Sequence, residues 1–176
     1  MNTIPRLTPP QTPRPARRRA FALLDVLLAA ALLAILAALA IPSLRPNDSL
    51  KMVSAAVLIS ADLEYAQSAT IAAPGDPTVF RLDEKLPRYW LALASSPDTP
   101  ITRPDGAPWL VTLGSGSLAS LNELSLRLEG VAGTTVAFDR FGRLNQGDDI
   151  RVIIESQAGE LPVRISASTG SVYMGE

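Results

Sequence analysis

The chain has 176 residues, of which 47% are hydrophobic and 19% are charged, and its formal net charge is -1. It contains neither cysteine nor histidine, which excludes disulfide bonds, thiolate nucleophiles, Ser-His-Asp catalysis and the commonest ligands of transition metals. Its two lysines, Lys51 and Lys85, do not stand in the S-x-x-K pattern of a serine-lysine nucleophile. We therefore expect a protein without catalytic activity, cofactor or metal ion.

The first 20 residues differ in charge from the rest of the chain. They carry five arginines and no acid, which leaves 11 bases and 17 acids, a net charge of -6, in residues 21–176. Five prolines between residues 5 and 15 predict an extended segment without a packed core. We interpret residues 1–20 as a basic leader that ends in the cluster Arg17, Arg18 and Arg19. By the positive-inside rule, this cluster stays in the cytoplasm and the acidic part of the chain is exported.

An apolar run of 24 residues, 21–44, follows the leader. As a helix it reaches about 36 Å, enough to cross the roughly 30 Å hydrocarbon core of a bilayer. Its one charge is Asp25, and a carboxylate inside a membrane costs up to about 2.5–3.5 kcal/mol, less near the interface. The run predicts a transmembrane helix. Because a carboxylate there is costly, we expect Asp25 to have a function.

Two simpler interpretations of this region stay open. The first is an uncleaved single-pass envelope anchor with Asp25 near the lipid headgroups. The second is a cleaved signal peptide, favoured by the twin-arginine-like RRAF at residues 18–21 and the small-x-small ALA at residues 38–40. Both the acid and the length of the run argue against a signal peptide, since its apolar region usually has about 7–15 residues.

The stretch RRRAFALLDVLLAAALLAILAALAIPSLR, residues 17–45, resembles the N-terminus of type IV pilins and type II secretion pseudopilins. In those families a basic leader and a small residue precede a Phe, three apolar residues, an acid and an apolar helix. Here Ala20 takes the small position, normally Gly, and Phe21 would be the first mature residue. Asp25 is then the fifth mature residue, normally Glu, and Pro42 matches a helix-bending proline.

The resemblance implies that a prepilin peptidase cleaves between Ala20 and Phe21 and that the new amine of Phe21 is methylated. The Asp25 carboxylate would then pair with the amine of a neighbouring subunit, because opposite charges attract strongly where the dielectric constant is low. This pairing would favour assembly of the helices out of the bilayer into a filament.

Residues 45–73 predict an amphipathic continuation of the helix. Apolar and small residues recur at steps of three and four, and the polar residues Lys51, Asp62, Glu64 and Gln67 are expected to avoid their face. The sequence PGDP at residues 74–77 ends the helix. The predicted buried face consists of Met52, Ala56, Ile59, Leu63, Ala66 and Thr70.

Residues 74–176 change to short alternating runs separated by turn residues, which predicts a β-rich globular head. In ELSLRLE, residues 123–129, the leucines point to one face, and the serine, the arginine and the last glutamate point to the other. Hairpin turns are predicted at residues 138–143 and 168–171. The predicted strands are TVFRL, RYWLALA, WLVTL, ELSLRLE, TTVAF, IRVIIES, LPVRISA and SVYM.

Residues 134–174 contain an F-D-x-x-G-R turn, an apolar strand, a strand of the form P-V-R-I-S and a closing T-G-x-V hairpin. With the helix motif LEYAQSA at residues 63–69, they resemble the GspH/FimT family of minor pseudopilins. The resemblance implies an α+β fold, in which a long helix, half transmembrane and half amphipathic, packs on a C-terminal antiparallel β domain of pseudopilin type. Residues 83–121 show no comparable resemblance.

Three local features could have a function, but for each of them a simpler structural interpretation is favoured. The sequence GSGS at residues 114–117 lacks the lysine of a phosphate-binding loop and predicts a flexible loop. Trp90 and Trp109 could form a partner-binding patch, but aromatic residues in strands more often belong to the core. Four oxygen-bearing side chains near one turn do not follow EF-hand spacing, so we expect a solvated turn and not a calcium site. They are Asp139, Asn145, Asp148 and Asp149.

The resemblance implies a structural minor pseudopilin of a type II secretion pseudopilus, assembled near the filament tip to support protein export. Its partners would be prepilin peptidase, other major and minor pseudopilins and the bacterial inner membrane, with the head in the periplasm. The rival is a FimT-like minor type IV pilin that binds DNA in transformation. A mature charge of -6 and the lack of Lys and Arg in residues 166–176 argue against nucleic acid, because neutralised phosphates supply most of that affinity.

Overall fold

The structure, a computed structural model, describes residues 17–40 and 48–175, and in the first of these ranges it describes the side chains of residues 23–36. Pro42 lies outside the described residues. The internal contacts divide the chain into two compact units, Met1–Pro46 and Asn47–Glu176.

The described part of the first unit is helix α1, Arg17–Ala40. Alanine and leucine, the best helix formers among apolar residues, make up most of its 24 residues. Every described side chain of α1 is exposed. Among the residues that the structure describes, no helix combines the length and the apolar character that a membrane crossing requires.

The second unit begins with helix α2, Asp48–Ala72, and continues with strands joined by short turns. Pro74 and Pro77 follow α2 directly, as the sequence predicts for its end. A 3₁₀ helix, Gly116–Leu121, starts inside the predicted GSGS loop. The strands are β1 Thr78–Leu82, β2 Arg88–Leu93, β3 Ser96–Pro100, β4 Leu110–Thr112, β5 Ser125–Glu129, β6 Thr135–Ala137, β7 Ile150–Ser156, β8 Gly159–Ile165 and β9 Val172–Met174.

The strands form two antiparallel sheets. The first has the order β3-β2-β1-β6, and β4 also pairs with β2. The second has the order β5-β7-β8-β9. Helix α2 packs against β1 of the first sheet and against β7, β8 and β9 of the second, so the two sheets share one helix as their cover. The α+β class and the antiparallel sheets expected from the sequence are confirmed.

The core of the head lies between one face of α2 and the inner faces of both sheets. All six residues of the predicted face of α2 are buried, which confirms that face. They meet strand residues that alternate along each strand, such as Val152 and Ile154 on β7 and Val163 and Ile165 on β8. The rings of Phe80 and Tyr89 stack on neighbouring strands with their centroids 4.7 Å apart.

The outer face of the second sheet is polar, as the alternation in ELSLRLE predicts. Arg127 on β5 pairs with three carboxylates, those of Glu129, Glu155 and Glu160. Glu129 also pairs with Arg151 on β7, with its oxygen 3.2 Å from the guanidinium nitrogen. Charged pairs of this kind on neighbouring strands support the register of β5, β7 and β8 on the wet face.

One sequence prediction about the head is wrong, and one strand was not among those predicted. The unpredicted strand is β3, Ser96–Pro100, which tolerates prolines at 97 and 100 because it is an edge strand that pairs with β2 alone. Asp62 was expected to avoid the buried face of α2, yet it is only 7% exposed. It follows Ile59 by three residues and precedes Ala66 by four, so helical spacing outweighs its polarity.

Candidate functional site

The residues predicted to control processing and assembly fall in α1 or beyond it. Arg17, Arg18, Arg19, Ala20 and Phe21 form the start of α1, and their side chains lie outside the described residues. The cleavage and methylation assigned to this junction therefore stay predictions. Helix bending at Pro42 likewise falls outside the described part of the chain.

Asp25 lies on α1 and is exposed. It stands four residues after Phe21 in the sequence. Around it, α1 presents large apolar side chains to solvent, among them Leu24 at 66% and Leu33 at 67% exposure. Exposed apolar area of this extent is typical of a surface that other apolar groups cover.

Helix α2 has a second apolar face in addition to the buried one. Its outward stripe contains Leu50, Val53 and Val57, which are 62%, 46% and 52% exposed, and it continues with the exposed Ala61. These residues recur at steps of three and four, so they form a line along the helix. The sequence pattern predicts only the buried apolar face of α2. It does not predict this outward stripe.

The outward stripe leads into a cavity between α2 and the 3₁₀ helix, which we call the α2 groove. Its volume is about 400 Å³. Glu64 is exposed and lies three residues after Ala61 and seven after Val57, so it projects from the same side of the helix as the groove. The groove is lined by Ser54, Val57, Leu58, Ala61, Leu118, Ser120 and Leu121.

Three separate stretches of the sequence meet at one point that we call the Gln67 junction. The side-chain amide of Gln67 on α2 donates hydrogen bonds to the carbonyl oxygens of Gly142, at 2.6 Å, and Thr169, at 3.2 Å. The three stretches are the helix motif LEYAQSA, the F-D-x-x-G-R turn and the T-G-x-V hairpin. The structure thus joins the segments that carry the GspH/FimT resemblance. The sequence pattern indicates only that Gln67 is one of the polar residues of α2, not that it bonds to these turns.

Glycine is required at two positions of the junction. Gly142 and Gly170 have φ angles of +79° and +69°, which are unfavourable for residues with a Cβ atom. A Cβ at Gly170 would also overlap the Gly142 carbonyl oxygen, and one at Gly142 would lie 2.8 Å from Cδ1 of Ile71. The close approach of the two turns to α2 therefore depends on both glycines.

The turn at residues 138–143 forms as predicted and presents an aromatic tip, which consists of Arg140, Phe141 and Arg143. The Asp139 carboxylate accepts hydrogen bonds from the backbone N–H groups of Phe141 and Arg143, at 2.8 and 2.9 Å. It also pairs with the Arg143 guanidinium at 2.8 Å. Although desolvation acts to raise the pKa of Asp139, these bonds outweigh it and hold that pKa below its ordinary value.

Phe141 is 62% exposed at the end of this turn. The guanidinium carbons of Arg140 and Arg143 lie 4.8 and 5.3 Å from the centroid of its ring, within the range of cation-π attraction. Because the turn is fixed by Asp139 and by the Gln67 junction, the aromatic ring is held in a defined position without being buried.

A buried polar pair lies inside the head. The hydroxyl of Tyr89 donates a hydrogen bond of 2.8 Å to the Asp62 carboxylate. Burial raises the pKa of Asp62 above its ordinary value, although the hydrogen bond from Tyr89 and the charge of Arg103 act in the opposite direction. Burial beside this acid also raises the pKa of Tyr89. Helical spacing was the signal in the sequence that could have placed Asp62 here.

The other local features take structural roles. Asp139 fixes its own turn, and Asp149 accepts a hydrogen bond from the backbone N–H of Ala167 at 2.8 Å. Asp139 and Asp149 border a cavity of about 430 Å³, but within residues 17–40 and 48–175 no group of three acidic side chains could hold a metal ion. Trp109 belongs to the core, which confirms the simpler interpretation, and half-buried Trp90 bonds to the Pro97 carbonyl at 2.8 Å.

Comparison with known proteins identifies the fold class. No family model matches the chain, and no curated protein matches it. Two crystal structures of the type IV minor pilin FimU from Pseudomonas aeruginosa (strain PAO1) are similar to it. The first is 16% identical, covers 73% of this chain and 90% of its own, and has a TM-score of 0.54. The second is 20% identical, with coverages of 70% and 91% and a TM-score of 0.49. The first of these similarities shows that the chain has a type IV pilin-like fold.

Proposed function

We propose that the chain is a structural minor pseudopilin of the GspH/FimT type, which assembles near the tip of a type II secretion pseudopilus and supports protein export. It has no catalytic activity of its own in this proposal. The observation that carries it is the combination of an exposed apolar helix with a head of type IV pilin-like fold. The head supplies specific contacts, and the apolar helix supplies a surface for lipid or for the helices of other subunits.

In this proposal residues 21–44, part of which lie outside the described residues, span the bacterial inner membrane. The arginine-rich leader is cytoplasmic and the head is periplasmic, in agreement with the positive-inside rule. Prepilin peptidase removes the leader between Ala20 and Phe21, and Phe21 is then N-methylated. Asp25 pairs with the amine of Phe21 on a neighbouring major or minor pseudopilin, which lowers the cost of both charges.

Intact-mass measurement of the protein extracted from membranes tests the processing step. We expect a chain that begins at Phe21 and carries one methyl group. Replacing the small side chain, as in Ala20→Arg, is expected to leave the leader attached. A chain that retains Met1 would favour the uncleaved anchor, and one that begins at Ile41 would favour a signal peptide.

Substitution of Asp25 tests the assembly step. Asp25→Ala should preserve cleavage and membrane insertion, because loss of the acid makes insertion easier, but it should impair incorporation into the filament. Asp25→Glu is the matched control, since it keeps the charge. The measurements are cross-linking to other pseudopilins in membranes and secretion of a reporter protein. Equal cross-linking of the wild type and Asp25→Ala would contradict the proposal.

One observation favours the second candidate, a minor type IV pilin that binds DNA in transformation. The aromatic tip combines an exposed ring with two guanidinium groups, and such combinations bind single-stranded nucleic acid. Against it, Asp139 already neutralises Arg143, and the mature chain is acidic. Binding of DNA that weakens steeply with added salt, and that is lost in Arg140→Ala, would favour this candidate over the pseudopilin.

A further inference from the structure

The head carries two surface features that the proposed function does not use: the aromatic tip and the α2 groove. The tip is a protruding ring with a basic margin, and the groove is a concave, mainly apolar surface with an exposed acid, Glu64, on the same side of α2. Both features have an apolar part, and the charge of Arg140 is opposite to that of Glu64. Apolar anchors that enter a pocket at the centre of an interface supply most of the binding energy of such contacts.

The tip cannot reach the groove of its own molecule. Gln67 of α2 holds the tip, whereas Leu58 lines the groove, and nine residues separate them along the helix. Nine residues are about 2.5 turns at 3.6 residues per turn, so the two side chains point to opposite sides of α2. A tip that occupies an α2 groove must therefore belong to another molecule.

We propose that the aromatic tip of one copy of this chain docks in the α2 groove of a second copy. Phe141 enters the apolar part of the groove between α2 and the 3₁₀ helix, and Arg140 faces Glu64. Within the described residues neither Arg140 nor Glu64 takes part in a salt bridge, so both charges are available for the contact. The apolar contact supplies affinity, and the opposite charges fix the orientation.

The contact is heterologous, because one molecule contributes its aromatic tip and the other contributes its α2 groove. Contacts of this kind continue from molecule to molecule in one direction unless the rotation closes a ring. The inference goes beyond the proposed function, which joins this chain to other pseudopilins near the filament tip, because it adds a contact between two copies of this chain. A subunit could join a filament through Asp25 and α1 and leave its tip free.

Photo-cross-linking tests the contact directly, with a second copy of the chain as the probe. The full-length protein in detergent carries p-benzoylphenylalanine in place of Phe141, which keeps an aromatic ring at the tip. It is mixed with an isotopically labelled copy, so that links between molecules are recognised by mass. The control places the same reagent at Tyr173, which is also exposed (41%) but belongs to β9.

We expect about tenfold more intermolecular product from position 141 than from position 173, with the linked residues between 54 and 61 or between 118 and 121. Equal yields at the two positions, or links that map elsewhere, would overturn the proposal. If these links are absent while Asp25→Ala still impairs assembly, the filament function stands and the tip contact is excluded.

A charge exchange tests the orientation without altering the groove. Glu64→Arg places like charges together and should reduce the yield from position 141 about fivefold or more, while Arg140→Glu in the same chain should restore it. Restoration is not expected if Glu64→Arg merely damages the fold. A pair of substitutions that both reduce the yield and do not compensate each other would contradict the pairing of Arg140 with Glu64.

Discussion

The two helices have almost the same length and are both rich in apolar residues, yet their side chains lie in opposite environments. Helix α1 has 24 residues, and each of its described side chains is exposed. Helix α2 has 25 residues and buries eight of them against the sheets. Apolar content therefore does not decide whether a helix is covered by its own chain.

The difference follows from how polar residues are spaced. In α1 the described apolar side chains surround the helix, so polar residues do not divide it into a buried face and an outer face. In α2 polar residues separate a buried face from an outward stripe. One face of α2 is buried within the head. The stripe from Leu50 to Ala61 stays exposed, and our proposal covers part of it with another molecule.

Asp25 of α1 and Asp62 of α2 both stand among apolar residues, but one is exposed and the other is buried. Asp62 of α2 is buried and accepts a hydrogen bond from Tyr89 of the same chain. Asp25 of α1 is exposed, and the proposed partner for it belongs to another subunit. A buried acid needs a partner to offset the cost of its desolvation, which Asp62 finds inside the chain and which our proposal gives Asp25 on a neighbouring subunit.

The largest expected effect comes from deleting a buried side chain of α2. Ile59→Ala should lower the free energy of unfolding of the head by about 2–5 kcal/mol, because Ile59 is fully buried and a cavity would remain. Leu33→Ala, the matched change in α1, should leave it unchanged. Denaturant unfolding of the full chain in detergent, followed by near-ultraviolet circular dichroism, measures both. Equal losses of unfolding free energy in the two variants would mean that α1 and α2 do not differ in how their apolar side chains are buried.

The next effect concerns the junction that fixes α2 to the two turns. Gly170→Ala should cost about 2–3 kcal/mol, from unfavourable φ and from overlap with the Gly142 carbonyl. Gly106→Ala is the control, since Gly106 has a φ of +86° and open space around it, so only the backbone cost of about 1 kcal/mol remains. Chemical denaturation of the two variants gives the difference. If Gly170→Ala and Gly106→Ala lower the free energy of unfolding equally, the close approach at Gly170 does not contribute to stability.

Much of the fold was predictable, because alternation and helical spacing are local signals. The buried face of α2 and most strands follow from such patterns. Strand β3 was not predicted: its two prolines are unfavourable in most strands, and its pairing at the edge of a sheet permits them.

The candidate site was less predictable, because its contacts join segments far apart in sequence. The Gln67 junction connects residues that are 75 and 102 positions apart. The motifs in these segments carry the resemblance to the GspH/FimT family, but they do not indicate that the segments contact one another. The groove has the same origin, since the 3₁₀ helix that completes it lies in a stretch with no motif.

The smallest expected effect concerns Asp62 and the pH dependence of stability. Because burial raises the pKa of Asp62 in the folded head, the folded state binds more protons than the unfolded state between the ordinary and the raised pKa. The contribution of Asp62 to stability is therefore present below its unfolded pKa and is lost as the pH rises through the folded value. The effect is small because the Tyr89 hydrogen bond and the charge of Arg103 offset part of the desolvation.

Other carboxylates act in the opposite direction and must be separated from Asp62. Hydrogen bonds and guanidinium groups hold the pKa values of Asp83 and Glu155 below their ordinary range, so their contributions are lost as the pH falls. The informative quantity is the difference in free energy of unfolding between the wild type and Asp62→Asn at each pH, measured by denaturant unfolding. Asparagine keeps the acceptor for Tyr89 and does not ionise. We expect Asp62→Asn to gain stability relative to the wild type as the pH rises above the ordinary carboxyl pKa, and a constant difference would show that Asp62 does not titrate as a buried acid.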